Sequence, residues 1–306
     1  MPVKLPKIAV LLAAYNGTQW IEAQVASILA QAAVNLTIYI SVDPSTDGTE
    51  EWCAACADKY SEVVLLPVSE VFGGAARNFF RLIRDVDFAA YDYIAFSDQD
   101  DVWNVDKLAH SVRMLEKYSA DAYSSNVTAF WPNGKTILLD KAQSQVEWDY
   151  LFEAAGPGCT YVIGRKIADP LKALILQSWK KLQLVSLHDW YLYAFARSRG
   201  YKWFIDPQST LLYRQHERNQ IGANTGVGSL ISRYKNINNG WWFSQVALIA
   251  SLLGLEIKPF ISKGRALGRA EFCWLALRAL KCRRRVRDKF LFFCVCLIAA
   301  VRPAGR

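Results

Sequence analysis

The chain opens on a rhythm of short apolar runs separated by amphipathic stretches. Ile8-Ala9-Val10-Leu11-Leu12-Ala13 is continuously apolar, the pattern of a strand buried on both faces of a parallel sheet. Asn16-Gly17-Thr18-Gln19 reads as a helix start, with Gln19 three residues after a candidate Asn cap. Ile21, Val25 and Ile28 then repeat at helical spacing. The spacing predicts a second strand over Leu36 to Val42, a helix over Thr49 to Tyr60, and a short strand at Val63 to Leu66. It predicts a further helix over Asn78 to Arg84 and a fourth strand at Tyr93 to Phe96. A helix from Asn104 to about Tyr118 carries Leu108, Val112 and Leu115 on one face. Strands alternating with helices in this way predict a doubly wound α/β fold.

Beyond Tyr118 the periodicity weakens. Ala122 to Phe130 and Lys135 to Leu139 are expected to pair around Trp131-Pro132-Asn133-Gly134. Helices are expected over Glu147 to Ala155 and Asp189 to Arg199, and a strand over Tyr201 to Ile205. No internal repeat or low-complexity segment interrupts the chain.

Composition sharpens this in two respects. Cys53 and Cys56 form the only C-x-x-C among seven Cys. With no second pair to complete a metal set, the thiols read as reduced packing residues of a cytosolic protein. The N-terminal residues lead directly into a strand, without the apolar core and cleavage site of a secretory signal. The net charge is +8, yet thirteen Lys and Arg from Lys258 onward face only Glu271 and Asp288. The tail therefore carries all of the excess, residues 1–257 are slightly acidic, and a nucleic-acid partner is not indicated.

Candidate chemistry concentrates where the fourth strand ends, at Ser97-Asp98-Gln99-Asp100-Asp101. Ligands of open α/β sheets bind beyond the carboxyl ends of strands. Carboxylates crowded there repel one another unless a cation joins them, and oxygen ligands suit Mg²⁺ or Mn²⁺. The residues alone also allow a solvated acidic turn at a helix N-terminus.

Several segments together resemble family 2 glycosyltransferases, nucleotide-sugar-dependent enzymes with a GT-A fold, a Rossmann-like mixed sheet. They are Ala14-Tyr15-Asn16-Gly17, Val42 to Thr49, Gly74-Ala75-Ala76-Arg77-Asn78, and the acidic run, which looks like the family's metal-binding D-x-D. Ser97 to Trp103, His188-Asp189-Trp190 and Tyr213 to Asn219 are similar to the bacterial rhamnosyltransferase branch. The likeness covers roughly residues 7–222. It departs in the second-strand motif, where Val42 and Pro44 stand at positions commonly held by Asp and Gly.

The resemblance implies a role for each matched residue. Asp43 would accept a pyrimidine N–H, with Ala14, Tyr15 and Asn16 lining the same pocket. Arg77 and Asn78 would meet ribose or phosphate, Asp98 the ribose, and Arg214 and His216 the pyrophosphate neighbourhood. Asp100, with His216, would hold the Mg²⁺ or Mn²⁺. Asp189 would be the base for the acceptor hydroxyl in an inverting displacement, and His188 would orient Asp189 or the acceptor. Gly158-Cys159-Thr160 resembles the segment facing donor sugar and acceptor. The implied donor is dTDP-L-rhamnose, with another nucleotide sugar such as a UDP-hexose as the alternative. A nucleotidyltransferase is disfavoured because an early Gly-rich phosphate loop is missing after strand one. A non-catalytic glycan- or membrane-binding protein is disfavoured because Asp43, Asp100, Asp189 and His216 are all retained.

Residues 1–222 are thus read as a GT-A catalytic domain and 223–306 as a basic, apolar helical extension. Trp241 to Ile257 and Phe290 to Val301 are apolar but shorter than the ~20 residues that span a bilayer. With the cations between them they suit peripheral attachment to the cytoplasmic face of an inner membrane, or packing on the catalytic domain. A lipid-linked glycan acceptor, such as lipopolysaccharide core or O-antigen, would be reached from there.

Overall fold

The computed structural model describes residues 4–67, 70–216, 240–256 and 268–301. The strands are β1 (Lys7–Ala14), β2 (Asn35–Val42), β3 (Val63–Leu65), β4 (Tyr93–Ser97), β5 (Val102–Trp103) and β6 (Ala122–Ser125), followed by β7 (Val127–Phe130), β8 (Thr136–Leu139), β9 (Val162–Gly164), β10 (Trp203–Asp206) and β11 (Leu211–Arg214). The main sheet runs β10-β6-β9-β4-β1-β2-β3, with β9 antiparallel to both of its neighbours. A small second sheet runs β5-β11-β7-β8.

Side chains alternate along β1. Ile8, Val10, Leu12 and Ala14 enter a core shared with α1 (Ile21–Leu29), α2 (Thr49–Lys59) and α4 (Lys107–Lys117). Ala9, Leu11 and Ala13 enter the opposite core, with α3 (Ala75–Asp85), α6 (Arg165–Leu182) and α7 (His188–Ser198). Covering both faces explains why β1 has no polar position after Lys7. Pairing of β1 with β2 on one side and β4 on the other opens a crevice at their carboxyl ends.

The differences from the sequence expectation have local causes. Asn16 adopts φ +46 in a turn, so α1 starts only at Ile21. The fourth helix starts at Lys107, because Val102-Trp103 pairs antiparallel with Leu211-Leu212. The expected hairpin divides: β6 joins the main sheet, while β7 and β8 pair in the small one. The expected helix over Glu147 to Ala155 is the single turn α5 (Asp149–Phe152). The long helix α6 was not anticipated; its buried Ile167, Leu171 and Ile175 keep helical spacing around an internal Pro170.

The described tail is helical: α8 (Trp241–Leu252), α9 (Arg269–Leu277), α10 (Ala279–Cys282) and α11 (Val286–Val301). Val246, Ile249, Leu275, Phe292 and Cys296 belong to the core that contains α6 and α7. The Gln245 amide is held by Ser186 N and Leu184 O, at 2.9 and 3.1 Å. The boundary at residues 222 and 223 lies outside the described residues. Among the described residues no helix is long and apolar enough to cross a membrane. All seven cysteines are free, and Cys53 and Cys56 are buried on α2.

Candidate active site

Three loops meet at the carboxyl ends of β1, β2 and β4. Gln99 clamps the first of them: Tyr15 N donates to Gln99 Oε1 and Gln99 Nε2 donates to Tyr15 O, both at 2.8 Å. A Cβ at Gly17 would stand 2.2 Å from Gln99 Oε1, so only glycine admits this clamp. Asn16 ties the same loop to the end of β2, donating to Ser45 Oγ and accepting from Thr46 N. The Tyr15 ring remains 56% exposed at the rim.

The acidic run then turns its carboxylates in different directions. Asp100 Oδ2 lies 2.7 Å from His216 Nε2, and the His216 ring stacks on Trp20 with centroids 3.9 Å apart. Arg214 Nε donates to Asp100 O at 2.8 Å, fixing β11 against the run. Asp98 is half-buried, and its carboxyl is pushed up to about 8 by burial and by the charges of Asp100 and Asp189. Asp101 is fully buried. Its Oδ1 accepts from Arg214 N at 3.2 Å, while Oδ2 has no hydrogen-bond partner. Burial and the neighbouring Asp100 and Asp98 hold its carboxyl well above the usual range. One carboxylate oxygen each of Asp98 and Asp101 and Cys159 Sγ lie within 4.8 Å of one another.

Asp189 approaches from the other side, at the start of α7. Its Oδ1 accepts from Trp190 N at 2.7 Å, and burial raises the carboxyl to about 6. That leaves Asp189 ionised at neutral pH yet basic enough to take a proton. Beside it, His188 is sunk behind the site. Its ring stacks on Phe79 with centroids 3.9 Å apart, and burial pushes its pKa down to about 3. A Cβ on Gly158 would come within 2.6 Å of His188 Nε2 and 3.3 Å of Asp189 Cβ. The 158–160 turn and the start of α7 therefore fit together only through glycine.

The structure thus brings Asp98, Asp100, Asp189, Arg214 and His216 together, with Tyr15 and Asn16 on the adjoining loop, and engages Asp43, Asn78, Arg77 and Ala14 in bonds within the protein. Asp43 is buried; Oδ1 accepts from Phe72 N and Oδ2 from Gly73 N, both at 2.9 Å. It anchors the turn before α3. Asn78 is buried too, bonding Ser41 on both its atoms and so joining the end of β2 to α3. Arg77 spans from Phe72 O to Gln183 O, tying the same turn to the end of α6. Ala14 is buried in the core, and its carbonyl accepts from Asp43 N. Glu217 to Asn219 of the expected motif lie outside the described residues.

Two features were not read from the sequence. Trp20 supplies the face on which His216 rests. Lys107 is fully buried and lies 3.6 Å from the centroid of the Trp103 ring, and its Nζ has no hydrogen-bond partner. Burial lowers it to about 7, against the opposing pull of Cys159 and Asp101. The spacing of Trp103 and Lys107, four residues apart beyond an acidic run, is the only sequence signal that could have found it.

Residues 6–202 match the family described as Glycosyltransferase like family 2. The chain belongs to that family. This glycosyltransferase is 45% identical over 279 residues to the dTDP-rhamnosyl transferase RfbG of Shigella flexneri, spanning 91% of this chain and 96% of the relative. It is 27% identical over 165 residues to the UDP-Glc:alpha-D-GlcNAc-diphosphoundecaprenol beta-1,3-glucosyltransferase WfgD of Escherichia coli, covering 53% and 62% of the two chains. Among solved structures, S. aureus TarS 1–349 in complex with UDP aligns with a TM-score of 0.56 at 15% identity, over 96% and 81% of the chains. The mannosyltransferase PcManGT of Pyrobaculum calidifontis, in complex with GDP-Man and Mn2+, aligns with a TM-score of 0.51 at 14% identity, over 99% and 89%. Those two likenesses establish the GT-A-type mixed α/β fold of this enzyme.

Proposed function

We propose that the enzyme transfers L-rhamnose from dTDP-L-rhamnose to a hydroxyl of a lipid-linked glycan, with inversion at the anomeric carbon. The observation that carries the chemistry is the convergence of Asp98, Asp100 and Asp189 on one rim. His216 lies against Asp100, and Lys141 pulls the Asp189 carboxyl down against the effect of its burial. The likeness to RfbG over nearly the whole of both chains supports the donor. The diphosphoundecaprenol-linked acceptor in the name of WfgD supports a lipid-linked acceptor, such as lipopolysaccharide core or O-antigen at the cytoplasmic membrane face.

The residues present fit a divalent cation. Asp100 Oδ2 offers the carboxylate oxygen that suits Mn²⁺ or Mg²⁺, and His216 Nε2, hydrogen-bonded to it at 2.7 Å, would add a nitrogen donor on turning from that bond. Held by these residues, such an ion would offset the charge that grows on the departing nucleoside diphosphate. Asp189 takes the proton of the acceptor hydroxyl as its oxygen attacks the anomeric carbon opposite the leaving diphosphate. The bond to the acceptor oxygen forms while the bond to the phosphate oxygen breaks. The Tyr15 ring covers the base at the rim, and Asp98 faces the ribose. Asp43 Oδ1 keeps one lone pair beyond its bond to Phe72 N and offers it to the pyrimidine N–H.

The test is thermal stabilisation by a panel of nucleotide sugars with and without Mn²⁺. We expect dTDP-L-rhamnose to raise the melting temperature above UDP-glucose and GDP-mannose, and Asp100→Ala to lose the Mn²⁺-dependent part. An equal response to all three donors would remove the donor assignment. Full turnover in chelator would remove the cation.

A further inference from the structure

The exposed side of the C-terminal helices has a composition that the catalytic site does not explain. Leu277, Leu280, Val286 and Phe290 are 79%, 71%, 82% and 67% exposed. With Phe293 and Lys289 they line a single groove of about 470 Å³ between α9, α10 and α11. Ile298 and Val301 continue the apolar side along α11. Contiguous apolar exposure of this kind marks an interaction surface rather than ordinary solvent-facing residues.

Charge decides between occupants. Over residues 268–301 the acidic side chains are Glu271 and Asp288 alone. Glu271 Oε2 accepts from Gly268 N at 2.9 Å, and Asp288 is held between Arg287 at 3.3 Å and Arg283 at 3.7 Å. Lys289 stands in the groove itself and Arg287 is exposed beside it. A second copy meeting this face through a two-fold axis would set the same cations against each other. An anionic bilayer surface complements them, and it accepts the apolar side chains at the same time.

We propose that this face of α9, α10 and α11 is a docking surface for an anionic lipid bilayer. The proposal deepens the reading of a lipid-linked acceptor and rests on it. The surface is tied to the catalytic domain by Arg284, which donates to Asp149 Oδ2 at 3.3 Å and to Ala154 O at 2.8 Å. Arg283 adds a bond to Phe152 O at 3.0 Å. These anchors lie on α5 and just after it, a few residues before the Gly158 turn that packs against Asp189. Docking therefore holds the acceptor side of the catalytic site at a fixed attitude to the lipid surface.

The experiment is cosedimentation of the full chain with phosphatidylcholine vesicles and with vesicles containing phosphatidylglycerol in equal part, at low and high salt. The wild type should pellet with the anionic vesicles at low salt and be released by high salt. Leu280→Glu with Phe290→Glu should bind at least about tenfold more weakly, and the exposure of both sites predicts an unchanged melting temperature. Arg287→Glu with Lys289→Glu should lose at least about thirtyfold on anionic vesicles and nothing on neutral ones, since each surface cation contributes about 1 kcal/mol. Wild type left in the supernatant would overturn the proposal, as would equal binding by both variants. A dimer that Phe290→Glu converts to a monomer, without vesicle binding, would assign the groove to a second copy instead. Stabilisation by dTDP and Mn²⁺, measured without vesicles, reports separately on the donor reading.

Discussion

Two groups of buried or half-buried carboxylates in this molecule have opposite surroundings. At the tail junction Asp149 is fully buried, and its oxygens accept from Tyr193 Oη at 2.7 Å, Arg197 Nη1 at 3.1 Å and Arg284 Nη1 at 3.3 Å. At the sheet rim Asp98, Asp101 and Asp189 have raised pKa values, with burial the largest cause in each case. The same side chain is thus a structural tie in one place and, in the other, a carboxyl whose ionisation burial opposes. A buried anion with its partners in place needs nothing more from a ligand. A rim of carboxyls with raised pKa values is a candidate functional site. The contrast separates structural ties from the candidate site more sharply than residue type does.

Asp189→Asn breaks the comparison most strongly. Transfer should fall by about 10²–10⁴-fold, the contribution of a positioned base, while dTDP still stabilises the protein in the presence of Mn²⁺. A quenched assay of dTDP release on adding acceptor measures the first effect, and a melting curve the second. The stability effect has a definite sign. A carboxyl raised from 3.8 to about 6 binds more protons in the native state, so the wild type loses stability as pH rises through that interval. Asn lacks this loss. The variant should match the wild type near pH 4 and melt a few degrees higher at pH 8, where each kcal/mol shifts a large domain by about 2–4 °C. Transfer by the wild type should likewise decline below about pH 6. Retained transfer in Asp189→Asn would place the base elsewhere.

How far the sequence revealed this arrangement depends on the range of the interactions. The apolar runs at residues 8–13, 36–42 and 93–96 are local patterns, and each became a strand of the main sheet. The acidic run could be placed at a strand end for the same reason. Asp189 and His216 entered only through resemblance, since no periodicity connects positions 98, 189 and 216. The resemblance places Asp43 and Asn78 toward the ligand, but it does not reveal their contacts within the protein. Their backbone and Ser41 partners come from elements brought together by the sheet, which spacing does not encode. Strand β9 runs between β4 and β6 against their direction. Three residues inserted from about 70 positions downstream leave no signal of their own. The pairing of Arg284 with Asp149 spans 135 positions, so a tail that reads as a basic surface segment proved partly a set of internal ties.

Arg284→Met sharpens the other half of the comparison. It removes the guanidinium that joins Asp149, Glu153 N-terminal to the catalytic turn, and the carbonyl of Ala154. Breaking a buried pair by deleting one partner costs about 3–5 kcal/mol. Arg197 and Tyr193 still serve Asp149, which puts the expectation at about 3 kcal/mol, read from denaturant unfolding. Donor binding should survive in the folded fraction, because none of these groups reaches the rim. A loss under about 1 kcal/mol would mean that the junction is held by its apolar contacts alone.

Lys107→Met should have the smallest effect, although Lys107 is as deeply buried as Arg284. The difference lies in partners. Arg284 is bonded to a carboxylate and a carbonyl, whereas Lys107 Nζ rests on the Trp103 ring and donates to nothing. Burial lowers its pKa to about 7. In the unfolded chain the amine takes a proton near pH 10.5, so the native state loses stability as pH falls from there to about 7 and keeps that deficit below. Methionine has nearly the same length and no charge to bury. The variant should therefore be at least as stable as the wild type at pH 6, by up to about 2 kcal/mol, and the two should converge toward pH 10. Loss of the Lys107 charge, which Asp101 attracts, works in the other direction and keeps the net gain small. Melting curves at the two pH values test this. A drop at pH 6 as large as that of Arg284→Met would show that the amine is a paired structural cation, and that the two carboxylate groups differ less than their geometry says.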